Sequence, residues 1–181
     1  IAEVNAGMDW IDESLDKVNC KEKYMVEGNH DDWMNSFVAE HPFMKGYKFK
    51  ECVNLKERGY KYYPAGKYLK LGKLHLYHGH HFAGTHHTRN HLMRLGANIM
   101  YGHHHDLQQA SVTHMDGVKS AWSIGCLKDM KEEQNEWLGG RRINWSHAFA
   151  IVDFFAKGNF AVHIVQIVDG EASLWGELIK G

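Results

Sequence analysis

Histidine is the residue whose placement suggests chemistry. Ten of the fifteen in the chain fall between His75 and His105, interrupted by apolar residues. A lone histidine is ordinarily a packing or surface residue. A cluster of neutral imidazoles is suited to holding a divalent transition metal through ring nitrogens about 2.1 Å from the ion. Three segments share one design, a short apolar stretch and then glycine with Asn or His beside it. They are Val26-Glu27-Gly28-Asn29-His30-Asp31, Leu76-Tyr77-His78-Gly79-His80-His81 and Met100-Tyr101-Gly102-His103-His104-His105. Strand ends in one parallel sheet lie side by side, so the three loops are expected to converge and present imidazole nitrogens and an Asn oxygen to a metal. The glycines allow sharp turns and leave room for a substrate. An extended His103-His104-His105 would point His103 and His105 one way and His104 the other. Two ligands one residue apart can serve two metals about 3.5–4 Å apart, which grip both sides of a phosphoryl displacement.

The elements that must position these residues follow from the apolar pattern. Ile1, Val4, Met8, Ile11, Leu15 and Val18 step by three and four, predicting an amphipathic helix with one buried stripe. Asp9, Asp12, Glu13 and Asp16 lie mostly off that stripe and read as a solvated acidic face. Tyr24, Met25 and Val26 predict a short strand ended by Gly28. Residues 31–41, before Pro42, and 48–58, before Gly59, read as helices. Tyr68, Leu69 and Leu71 lead through Gly72 into Leu74, Leu76 and Tyr77, a hairpin running into a buried strand. A His-rich helix at 86–95 is capped by Gly96, and Ile99, Met100 and Tyr101 form a third short strand. The last third reads as antiparallel, with hairpins at Asp116-Gly117 and Lys157-Gly158-Asn159 and one more strand within 172–179. Residues 127–146, which carry Trp137, Gly139, Gly140, Arg141, Arg142 and Trp145, read as one long loop, and long loops are often functional. Its cations and indoles could grip a nucleotide by charge and stacking, or pack for the loop's own stability.

Composition narrows the classes. The 181 residues (20.9 kDa) fit one domain, and 44% hydrophobic with 24% charged residues is a globular balance. With 21 Lys+Arg against 22 Asp+Glu, the net charge of -1 excludes a broad basic field for duplex nucleic acid but not a local phosphate site. Apolar runs fall far short of the roughly 20 residues of a membrane helix, and no signal peptide is recognisable. Cys20, Cys52 and Cys126 are odd in number and widely spaced. They read as free thiols of a reducing, cytoplasmic compartment, with no thiolate zinc site.

The three segments in their order, GNHD, then HGH, then GHHH where GHTH or GHxH is usual, resemble the calcineurin-like metallophosphoesterases, closest to small bacterial or phage-type members. The likeness covers about residues 20–170. It implies an α/β fold, the four-layer αββα sandwich with mixed sheets, with residues 1–181 forming a single domain. It implies hydrolysis of phosphomonoesters or phosphodiesters by a dinuclear centre, probed best with Mn2+ (Fe, Zn or Ni being alternatives), whose bound hydroxide attacks phosphorus. Carried over motif by motif, Asn29, His78 and His103 resemble ligands of the second metal and His105 a ligand of the first. His30 resembles the phosphate-facing histidine, and Asp31 would orient it. His80, His81 and His104 are left between substrate contact, support of the ligands, and packing.

One departure is large. The family opens with a DxH strand and a GDxxD strand, which supply an Asp and a His for the first metal and the bridging Asp, and neither motif occurs here. The chain opens at Ile1 on the helix that follows GDxxD. The domain is therefore expected to be truncated at its N-terminus, with those motifs upstream, and residues 1–181 alone are expected to hold at most one metal tightly. The alternative is a degenerate, non-catalytic metal-binding scaffold of the same fold. A His-ligated cupin barrel is disfavoured by the helix at 1–18 and by Asn29-His30. Nucleic acid, nucleotides, phosphoproteins and small phosphodiesters all remain candidate substrates.

Overall fold

The computed structural model describes residues 2–131, 135–141 and 143–181. Ile1 of the expected apolar stripe and Arg142 lie outside the described residues. The chain is mixed α/β and divides into two compact units, residues 1–69 and 70–181. Among the described residues no helix is long and apolar enough to cross a membrane.

The first unit opens with helix α1 (Ala2–Lys17), followed by β1 (Lys23–Val26), α2 (Asn29–Glu40), a 3-10 turn (Pro42–Tyr47), α3 (Phe49–Cys52) and β2 (Tyr60–Tyr63). Strands β1 and β2 run parallel, Val26 opposite Tyr63. The core is Met8, Phe49, Val53 and Leu55, with Met25, Met34, Tyr60 and Tyr62 packed against it. Of the stripe expected on α1, Met8 is buried, whereas Val4, Ile11 and Val18 are exposed. The acidic residues are also corrected. Asp12 accepts hydrogen bonds from Lys23 Nζ (2.7 Å), Arg58 Nη1 (2.7 Å) and Tyr60 Oη (3.0 Å), and Asp9 accepts from Arg58 Nη2 (2.6 Å). Helix α1 is thus docked as much by a charge network as by its apolar residues. The helix expected at 48–58 stops after Cys52, because Asn54 takes a left-handed φ of 52°.

The second unit is layered. Strands β3 (Leu69–Leu71), β4 (Leu74–Leu76), β5 (Asn98–Tyr101), β6 (Leu107–His114) and β7 (Gly117–Ile124) form a five-stranded sheet in the order β3-β4-β5-β7-β6. Helix α4 (His87–Leu95) joins β4 to its parallel neighbour β5, and Gly96, left-handed at φ 62°, ends it with its N–H on Leu92 O (2.9 Å). A second sheet, ordered β11-β10-β9-β8, holds β8 (Ala148–Phe154), β9 (Phe160–Val168), β10 (Glu171–Leu174) and β11 (Glu177–Lys180). Side chains alternate along β5 and β7. Met100 and Trp122, with Leu74, meet Ala150, Val152, Phe160 and Val162 of the second sheet. On the other face Tyr101 stacks on His91 of α4, centroids 4.1 Å apart. Because β5 is covered on both faces, Ile99, Met100 and Tyr101 are all buried.

Three further expectations are adjusted. The β6–β7 loop is Met115-Asp116, one residue earlier than expected, because Gly117 (φ 112°) pairs with His114. The single strand within 172–179 is the β10–β11 hairpin, turned at Trp175 and Gly176, which both have positive φ. Strand β1 pairs with β2 in a two-stranded sheet, apart from the five-stranded sheet of β4 and β5.

Candidate metal centre

Each histidine loop extends a strand. Beyond β4 and β5 the backbones stay in register: Tyr77 N–H donates to Met100 O (3.3 Å), and Gly102 and His103 N–H both donate to His78 O (3.3 and 2.9 Å). This shared carbonyl brings the imidazoles of His78 and His103 together, with His78 Nε2 and His103 Nδ1 3.0 Å apart. Two nitrogens bound to one ion at about 2.1 Å and about 90° to each other would also stand about 3 Å apart. His80 lies beside both, its ring 5.7 Å from that of His78 and 6.3 Å from that of His103, and His81 is 4.4 Å from His80. Gly79 (φ 108°) is required between them, since a Cβ there would stand 2.5 Å from Tyr101 Cδ2.

The segment 103–105 is a turn, not an extended strand. His105 N–H donates to Gly102 O (2.9 Å), and His105 has φ 61°. Strict alternation therefore does not apply, and the His104 ring lies only 5.0 Å from that of His103. The His104 ring stacks on His87 (3.8 Å, 19°), and its Nε2 meets Phe82 O (3.0 Å). His105 packs edge-on against Trp145, centroids 4.7 Å apart.

His87 and His91, four residues apart on one face of α4, join His104 in a group whose nitrogens lie within 4.8 Å of one another, a spacing that could hold a metal ion. Its hydrogen bonds describe a different arrangement. Phe82 O only accepts, so His91 Nε2 carries the proton (3.0 Å) and Nδ1 accepts from the Tyr77 hydroxyl. Likewise His87 Nε2 donates to Asp106 Oδ2 (2.9 Å) and Nδ1 accepts from Tyr101 Oη (2.6 Å). Burial pushes His91 down to about 4 and lowers His104, so both favour the neutral ring. Burial opposes an ionised Asp106, but hydrogen bonds from His87, Ser123 and Gln108 outweigh it and hold the carboxyl below its usual range. Both nitrogens of His87 and of His91 are engaged in hydrogen bonds. The group is best described as a hydrogen-bonded support under the His78 and His103 loops. Sequence reasoning placed His87 and His91 on the right helix but gave them no role; their four-residue spacing was the available signal.

Asn29, His30 and Asp31 belong to the first unit, where they form the first turn of α2. Asp31 Oδ2 accepts from Gly28 N–H (3.0 Å) and so caps the helix. Burial raises its pKa. His30 is exposed and lies 4.5 Å from the Trp33 ring. Below them Glu27, absent from the sequence reading, is buried and accepts from Asn35 Nδ2, the Tyr62 hydroxyl and Ala65 N–H (2.9 Å). These bonds tie the end of β1 to α2 and to the segment after β2.

No protein-family model matches the chain, and no curated protein matches it.

Proposed function

We propose that the chain is a metal-dependent phosphoesterase of the calcineurin-like kind, carrying the four-layer αββα sandwich. Helix α4, the five-stranded sheet and the four-stranded sheet make up three successive layers in this reading. The observation that carries it is the facing pair His78 Nε2 and His103 Nδ1, 3.0 Å apart at the ends of adjacent parallel strands. These two residues would hold one divalent cation, and His105 would contribute to a second. Bound cations, Mn2+ being the first to test, would polarise the phosphoryl oxygens and make water a better nucleophile. The remaining steps belong to the chain. His30, exposed at the start of α2, is the residue to which the resemblance gives the part of proton donor to the departing alkoxide. The α2 N-terminus, capped by Asp31, keeps it in place. The Tyr77–His91 and Tyr101–His87–Asp106 bonds fix the two loops that carry His78 and His103.

A one-metal, non-catalytic scaffold is the second reading, favoured by the packing of His105 on Trp145. Elemental analysis after equilibration with Mn2+, beside turnover of p-nitrophenyl phosphate and bis(p-nitrophenyl) phosphate, separates them. Under the enzyme reading His103→Ala loses bound metal and turnover together. His30→Ala keeps its metal but loses about 10²–10⁴-fold in kcat, as expected for an acid–base group. Metal that is bound and lost with His103, without turnover in the parent chain, supports the scaffold. Unchanged metal content in His103→Ala overturns both.

A further inference from the structure

We infer that the Trp137–Trp145 pair is a nucleobase-stacking subsite, so that the phosphoester handled beside His105 is that of a nucleoside. The inference rests on the reading of His105 as part of a phosphoester site. The segment that carries Trp145 is fixed beside His105 by backbone bonds: Ser146 N–H donates to His105 O (2.7 Å), Cys126 N–H to Ser146 O (3.0 Å) and Ala148 N–H to Cys126 O (3.0 Å). Gly125 (φ 73°) permits this approach, because a Cβ there would lie 2.6 Å from Ser146 O. Trp145 therefore stands on the edge of the His105 ring as a fixture of the fold, whatever the rest of the loop does.

From that anchor the aromatic surface continues outward. Trp137 lies 6.0 Å from Trp145, centroid to centroid, and is 63% exposed. It sits on a 3-10 turn, Glu136–Leu138, closed by Gly139 and Gly140 at positive φ. Arg141 folds back onto the same turn, its backbone N–H and Nε both donating to Leu138 O (3.2 and 3.1 Å). The paired terminal nitrogens of its guanidinium are the planar fork that suits a phosphate. Lys128 Nζ lies over the Trp145 ring at 5.8 Å, adding a second cation. Asp129 turns an oxygen onto Lys131 N–H (3.0 Å). Trp145 also lines a cleft of about 810 Å3 with Leu127, Asp129, Lys131, Ile167 and Asp169, within the size range of small-molecule sites.

An exposed indole, a second indole fixed against a candidate metal ligand, and two cations reproduce the combination by which proteins hold unpaired bases. The base stacks on Trp137, the cations meet its phosphates, and the ester points toward His105. An even net charge agrees with a ligand of one or a few nucleotides and not with a duplex.

The test is calorimetric titration of the whole chain with AMP, with ribose 5-phosphate and with a short oligo(dT), each with Mn2+ and with a chelator. AMP should bind about tenfold more tightly than ribose 5-phosphate. Trp137→Ala should remove that advantage and leave ribose 5-phosphate unchanged, and Trp137→Phe should restore most of it. Because Trp137 is exposed, neither variant should move the melting temperature. Tighter binding of oligo(dT) than of AMP would assign the subsite to strand ends, and the reverse to free nucleotides. The base-dependent difference should persist in chelator, so it survives even if the metal assignment fails. Equal binding of AMP and ribose 5-phosphate, or an AMP affinity indifferent to Trp137→Ala, overturns the inference.

Discussion

His91 shows how a single buried imidazole links stability to pH. Enclosed by Tyr77, Tyr101 and Phe82, it is pushed by burial from its ordinary value near 6.5 to about 4. The unfolded chain therefore binds a proton there between about pH 6.5 and 4 while the folded chain does not. Its contribution is fully present above that window and is lost as pH falls through it. His104 is shifted in the same direction. We expect the unfolding free energy, from urea titrations, to fall across this window more steeply than in His91→Gln. The difference should reach at most about 1.4 kcal/mol per pH unit. Parallel slopes would show that another group carries the linkage. At this scale the sequence was a partial guide. The pairing of His78 with His103 was legible because each follows a short apolar strand and a glycine lies beside it. The partners of Asp12 and Glu27 were not, because Arg58, Tyr60 and Tyr62 are distant in sequence and no local pattern announces a long-range hydrogen bond.

At the scale of elements, loops decide what strands can present. Gly79 lets the chain after β4 lie against the ring of Tyr101 on β5, which sets the path of His78 and His80. Gly79→Ala imposes both an unfavourable φ and a contact of 2.5 Å with that ring. We expect a loss of about 1–3 kcal/mol in stability, read by thermal or urea unfolding, together with reduced Mn2+ uptake. A variant with wild-type stability and uptake would show that the loop has another path. The strands themselves were legible from apolar runs and turn residues, and so was α4 with its Gly96 cap. The short α3 was misjudged because Val53, four residues after Phe49, keeps a helical spacing although the helix has ended and Asn54 is left-handed. The three buried positions Phe49, Val53 and Leu55 serve a helix and the turn beyond it.

At the scale of the molecule, the two units have separate hydrophobic cores, one around Met8, Phe49, Val53 and Leu55 and one between the sheets around Leu74, Met100 and Trp122. A unit with its own two-sheet core should fold by itself. We expect residues 68–181 alone, which retain all of β3, to give a cooperative thermal transition by circular dichroism. A fragment without such a transition would mean that residues 1–67 are needed to complete that core. Within this unit the two sheets meet at a point where neither backbone carries a side chain. Lys73 N–H donates to Gly158 O (2.9 Å), and a Cβ built on Gly72 would lie 2.7 Å from Gly158 O, while one built on Gly158 would lie 3.0 Å from Gly72 Cα. Each glycine fills the space that a substituent on the other would need. The two positions therefore behave as one inherited character: a lineage that changes either must first lengthen or re-route a hairpin, so divergence here should proceed by insertion and deletion instead of by point substitution.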